Sequence, residues 1–199
     1  MLVACISVNH FPWRMEVQRQ PGLFKTPCFV VQHIGSSSVL LDHSPRLKGI
    51  ATGMPLQEAL SECKAATLIE ADPAFYQGAF EKLLDALETR SPVVESPALG
   101  IAYVALDGLA EMYGGEARLV TALLSAIPQS LGPRMGVGSG KFPAYIASLK
   151  AMPNGAVAIT GDVAAFLAGV PVAHLPVSWK TQTQLRNFGL HTLADIMKL

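Results

Sequence analysis

The chain has 199 residues, half of them apolar, with 15 lysines and arginines against 15 aspartates and glutamates. Its mean hydropathy of +0.35 excludes a disordered chain, and its length allows one sizeable core or two small lobes. The balanced charge excludes the broad basic face that tight autonomous nucleic-acid binding requires, leaving room only for a local patch.

Residues 2–8 are apolar but short and lack a basic lead, which predicts a buried first strand and not a signal peptide. Residues 29–32 and 39–41 predict a second and third strand around a Gly-Ser run at 35–38. Gly53, Met54 and Pro55 open a short helix through about Cys63, since proline is tolerated in a first helical turn. A short strand at 68–70 follows. The clearest element begins at Asp72, a suitable N-cap, with Pro73 at the first helical position. Phe75, Ala79, Phe80, Leu83, Leu84 and Leu87 then recur at helical spacing until Ser91 and Pro92.

Strands at 93–95 and 101–107 predict a hairpin around Pro97 and Gly100. A helix from Gly115 carries Leu119, Val120, Leu123, Leu124 and Ile127 on one face. Next come a strand at 134–138, a helix at 142–150 and a strand at 156–159. This order predicts an α+β fold: a mixed, mainly antiparallel sheet with helices on one face. From Asp162 the pattern turns to short helices only, at 162–168, 178–187 and 192–199, the last behind Thr192 and running to the chain end. Residues 170–176 read as a junction.

Cys5, Cys28 and Cys63 have no C-x-x-C spacing, so small buried hydrophobes in a reducing cytosol explain them better than a disulfide or zinc site. The five histidines share no H-x-x-x-H spacing. No apolar run reaches bilayer length, and a soluble cytoplasmic protein is expected. The glycines before Lys141 suggest a phosphate loop, but Met135 and Phe142 stand where a glycine and a magnesium-binding hydroxyl are required.

Several segments fall in order on the landmarks of Y-family (UmuC-type) DNA polymerases. Ser7-Val8-Asn9-His10-Phe11 occupies the register of the opening D-x-D-x-F strand. His43 and Arg46, followed by the run from Gly49 to Pro55, resemble the fingers' Tyr-x-x-Arg and G-[VI]-x-x-G-M-P turn. The run from Gly100 to Leu106 resembles the palm hairpin D-E-A-Y-L-D-[IV], and the run from Gly108 to Glu116 resembles a G-x-x-x-[LM]-[FY]-G-G-E stretch of the ImuB-like branch. The runs at 136–147 and 153–155 resemble V-G-[IV]-S-x-N-K-x-x-A-K-I-A and the K-P-N-G turn, and 175–199 resembles the thumb's helix-hairpin-helix.

The resemblance implies a palm at 1–11 and 71–161, fingers at 12–70 and a thumb at 162–199, with no little finger within these residues. It also implies where chemistry would reside. Two magnesium ions serve family members as carboxylate-held clamps on the attacking and leaving oxygens. Here those positions are Ser7, Asn9, Gly100 and Ile101, none of them charged. The triphosphate lysine falls on Tyr145, the sugar gate on Pro12 and the fingers' tyrosine on His43, leaving Arg46 as a residual nucleotide contact. Lys48, Arg14 and Lys180 are the positions where DNA contact is expected. In the thumb hairpin Val177 and Trp179 replace the glycines that let backbone amides approach a phosphate, so Trp179 is expected to cover the helix pair.

The expectation is therefore a non-catalytic, ImuB-like adaptor of translesion synthesis and damage-induced mutagenesis, needing no cofactor. DNA, a sliding clamp and a second, active polymerase are its expected partners, the last two through further C-terminal regions, with no membrane contact. Two rivals remain open. One is a divergent active nucleotidyltransferase recruiting Asp42, Glu95 or Asp107; the other is a protein-interaction module without DNA binding.

Overall fold

The computed structural model describes residues 1–198. A five-stranded sheet forms the centre, in the order β5 (Val94–Ala98), β6 (Ile101–Ala105), β1 (Val3–Ser7), β7 (Arg134–Gly138) and β8 (Gly155–Ala158). β1 is antiparallel to both neighbours, and only β7 with β8 is parallel. A second sheet has the order β3 (Ser37–His43), β2 (Cys28–Ile34) and β4 (Thr67–Glu70), with β4 parallel to β2. Four of the six pairings among the described residues are antiparallel, as the element order predicts.

The helices do not keep to one face, and that expectation is corrected. Every residue of β1 is buried, so both sides of the sheet are covered. Ala4 and Ile6 enter a large cluster with Phe80, Leu83 and Leu87 of α3 (Pro73–Glu88) and Leu119 and Leu123 of α5 (Glu116–Ser125). Val3 and Cys5 meet Ala144 of α6 (Lys141–Lys150) on the opposite side. The short connections between predicted elements could not tell which side each helix crosses. Burial on both sides also explains why the first strand is apolar from Val3 to Ile6 instead of alternating.

Asp72 caps α3 by accepting from the Phe75 amide at 3.1 Å, as its sequence position predicts. Two helices have no counterpart in the sequence expectations: α1 (Phe11–Arg19) and α4 (Leu109–Met112). Phe11, Trp13, Met15 and Val17 of α1 alternate with period two, which hides its helical face. Its N-cap, His10, offers no capping side-chain bond and adopts a left-handed conformation with φ of 56°. That face also buries Glu16, whose carboxylate accepts from the Tyr76 hydroxyl at 2.6 Å.

Residues 12–70 share the main core. Trp13, Met15, Leu23, Cys28 and Val30 point into the large cluster, whereas Phe29 and Val31 of the same strand join Leu40, Met54 and Ala59 in a smaller one. α2 (Leu56–Glu62) closes that smaller cluster. Residues 53–55 extend the second sheet, with the Gly53 amide donating to Leu40 O and the Leu40 amide to Met54 O. After β8 follow α7 (Val163–Ala168), α8 (Trp179–Asn187) and α9 (Leu193–Ile196). Ile146, Val170 and Leu193 tie this segment to α6, and Val170 and Val172 are buried, so 170–176 is a packed connection and not a loose junction. Thr192 and Asp195 form a reciprocal capping box at the start of α9. The predicted 192–199 helix closes at Ile196, and its last residue, Leu199, lies outside the described residues.

Candidate functional site

The positions singled out in the sequence as degenerate ligands come together. A cleft of about 510 Å³ is lined by Ser7 and Asn9 at the end of β1, Pro12 of α1, Gly100 and Ile101 of the β5–β6 hairpin and Tyr145 of α6. Leu41, Asp42 and Thr52 of the second sheet's side complete its wall. The sheet register explains the convergence, because Ser7 pairs with Ile101 on one side and Arg134 on the other. A second hollow of about 270 Å³ continues from Asn9 and Leu149 toward Gly169, Pro171 and His174.

The cleft holds little free charge. Ser7 is 2% exposed and its hydroxyl finds no partner. Asp42, 4% exposed, is its one buried carboxylate, and both of its oxygens are engaged locally. It accepts from the amides of His43 at 2.8 Å and Trp13 at 3.0 Å, and pairs with the His10 ring at 2.8 Å. Tyr145 supplies a phenol that burial keeps neutral, pushed above its ordinary range. Its neighbour Tyr103 is pushed up to about 12, chiefly by burial.

The residues present do not fit a pair of magnesium ions. A side chain at Gly100 would place its Cβ 2.7 Å from Val8 O and 2.8 Å from the Phe11 Cβ, at a φ of +78°. Glu95 is bound to Lys141 and sits two residues along the strand from the cleft row. Asp107 accepts from the Leu2 amide at the opposite end of β1. Among the described residues no three His, Cys, Asp or Glu side chains gather with metal-holding geometry.

Other predicted positions separate. Arg46 is exposed and stacks over Phe24 at 5.5 Å, lining a different hollow of about 230 Å³ with Trp13 and Lys25. His43 lies behind the cleft, buried, with its Nδ1 on Ser44 O at 3.0 Å and its ring 4.8 Å from that of His10. Arg14 is half-buried and donates Nε to Asn9 O at 2.8 Å, so it braces the turn. Lys48 and Lys180 are exposed and stand apart from the cleft lining. Trp179 does not cover its own helix pair. It packs into the Phe29, Leu40 and Met54 cluster, because α8 has no apolar face to receive it.

His10 is the contributor that sequence reasoning missed. Its place inside the first-strand motif, one residue after Asn9, was the available signal. The residue marks the turn where β1 ends, and Asp42 fixes its ring.

The impB/mucB/samB family model matches residues 6–149. The chain belongs to the impB/mucB/samB family. This impB/mucB/samB chain is 32% identical over 197 residues to a DNA polymerase IV of Dehalococcoides mccartyi, covering 96% of the chain and 50% of the relative. It is 31% identical over 199 residues to that of Caulobacter vibrioides, covering 98% and 49%. It thus spans about half the length of these relatives, which are named DNA polymerase IV and not ImuB. In fold it is similar to DinB from Sulfolobus solfataricus, with TM-score 0.77, 20% identity, all of the chain and 60% of the DinB chain covered. It is also similar to an insertion ternary complex of Dbh DNA polymerase, with TM-score 0.74 at 20% identity, covering all of the chain and 61% of that one. The Y-family resemblance is borne out for family and for an α+β polymerase-core fold. No helix of the described residues is long and apolar enough to cross a membrane.

The buried His43 gives this site a pH signature. Burial is the main cause that lowers its pKa below 6.5, with His10 adding to the same direction. Folding therefore favours the neutral ring, and the unfolded chain binds the proton first as pH falls. The contribution is fully present above 6.5 and is lost as pH drops through 6.5 toward the folded value. Thermal melts should show Tm declining below that pH, and His43→Gln should flatten the decline.

Proposed function

We propose that this chain is a non-catalytic polymerase-like protein of translesion synthesis, comparable to the ImuB-like branch, retained for its shape at damaged DNA. The observation that carries this reading is the closed backbone at Gly100, where a ligand side chain has no room. The committed carboxylate of Asp42 and the neutral Tyr145 support it from the other walls of the cleft. On this reading 1–11 and 71–161 act as palm, 12–70 as fingers and 162–199 as thumb. Primer–template DNA enters the cleft, while a clamp and an active polymerase are recruited through further regions of the protein. The ternary complex of Dbh polymerase motivates the DNA partner by fold likeness.

Against the divergent-enzyme rival stand the local partners of its three acids: Asp42 accepts from the Trp13 and His43 amides, Glu95 pairs with Lys141, and Asp107 accepts from the Leu2 amide. Primer extension decides the matter, run with magnesium and with manganese beside the matching span of the Caulobacter vibrioides relative. The expected result is no template-dependent synthesis from this chain where the relative's span gives some. Robust synthesis that disappears in Asn9→Ala would sink the proposal. The balanced charge keeps the interaction-module reading as a second one, and steep salt dependence of DNA binding separates the two.

A further inference from the structure

Trp179 opens a helix that has no buried residue, WKTQTQLRN in sequence. It is the only residue of that helix found in an apolar cluster among the described residues. Its seat belongs to the second sheet and not to its own segment. Its Cβ lies 3.6 Å from where a Cβ on Gly53 would stand, and Met54 and Leu40 lie beneath. Gly53 needs its own freedom there, at φ +82°. The next residue back, Thr52, lines the cleft wall. One aromatic side chain therefore bridges two units beside the mouth of the candidate site.

The bridge is built to release. The indole N–H is buried with no acceptor, and an unmet donor of this kind costs roughly 1–3 kcal/mol. Opening returns that group to water. The rest of α8 loses little when it swings out, because its one other apolar residue, Leu185, is only half-buried and belongs to none of the apolar clusters. By contrast, α7 and α9 stay held through Phe166, Leu193 and Ile196 against α6.

We propose that Trp179 is an intramolecular plug. It fills, from within the chain, an apolar seat beside Gly53 on which a base of an incoming DNA strand stacks, so Trp179 seating and DNA binding exclude each other. The proposal rests on the reading that primer–template DNA enters the cleft. Base-on-aromatic and base-on-apolar contacts are tolerant of sequence, which suits a protein meeting lesions. A closed population lowers apparent affinity by the fraction open, and removing the plug recovers it.

The test uses the full chain and a fluorescently labelled primer–template with an unpaired template overhang. Trp179→Ala should bind about tenfold more tightly than the wild type, as for a seat open about a tenth of the time. Independently, 5-fluorotryptophan reports on the chain's two tryptophans, Trp13 and Trp179, with Trp179→Phe assigning the signals. DNA should move the Trp179 resonance to a solvent-exposed position and leave that of Trp13 in place. Unchanged or weaker binding by Trp179→Ala, with measurable wild-type binding, overturns the plug and leaves the DNA reading standing. So does a Trp179 resonance that DNA leaves unmoved. If neither protein binds DNA at any salt concentration, the plug and the DNA reading fall together.

Discussion

Gly100→Asp is expected to restore no synthesis and to cost the fold about 3 kcal/mol. The substitution puts an acid at the position where the resemblance places a metal ligand, yet the turn cannot receive it. The new Cβ would stand 2.7 Å from Val8 O and 2.8 Å from the Phe11 Cβ, and neither neighbour is a flexible tip. The Val8 amide donates to Gly100 O at 2.7 Å, which pins the hairpin against the end of β1. A left-handed conformation at φ +78° adds roughly 1 kcal/mol for a residue with a side chain. A drop in Tm of roughly 6–12 °C should follow for a chain of this size. Adding Ser7→Asp and Asn9→Asp should not recover primer extension. A Gly100→Asp protein as stable as the wild type, and active once Ser7 is also Asp, would show that the site lost only its side chains and not its shape. The contrast with Ile101 is useful, since its half-buried strand position has ordinary geometry and should tolerate Glu at smaller cost.

How much of this was legible in the sequence depended on whether a signal was local. Asp72 and Thr192 announce their helices because capping is a contact within four residues. That Ser7, Asn9, Gly100, Ile101 and Tyr145 meet in one cleft was legible because the register of two strands and one helix follows from short motifs. What failed was long-range or hidden by composition. The helix at 11–19 shows a period-two apolar pattern, and its N-cap is an unassisted histidine. Which sheet face α6 covers is decided by the packing of Gly136, and no local pattern records that. The placement of Arg46 over Phe24 and of Trp179 on Gly53 depends on how separate units meet. The commitment of Asp42 was equally invisible, because its donors come from the backbone of residues 13 and 43 and the ring of His10. An acid near a site is a ligand only if the fold leaves its oxygens free.

Gly136→Ala should be the most damaging of the glycine-to-alanine changes, costing upwards of about 4 kcal/mol. Its Cβ would fall 2.0 Å from Ala144 O, 2.2 Å from the Ser148 amide nitrogen and 2.7 Å from the Ala147 carbonyl carbon. All three are backbone atoms of α6, so no rotamer change relieves the overlap and the whole helix must lift from β7. Lifting it opens voids on both of its sides. Ala144 leaves Val3 and Cys5, and Ile146 leaves Val170 and Leu193. The cleft suffers with the core, because Tyr145 and Leu149 on the same helix form its wall. Gly22→Ala is the matching control: it has an ordinary φ and nothing within 4 Å of the added atom, and should stay within about 0.5 kcal/mol of the wild type. Soluble yield and thermal melts of the two variants give the comparison. A Gly136→Ala protein melting within a few degrees of the wild type would mean that α6 does not ride this closely on the sheet. The position of Tyr145 over the degenerate ligand row, on which the non-catalytic reading leans, would then have to be redrawn.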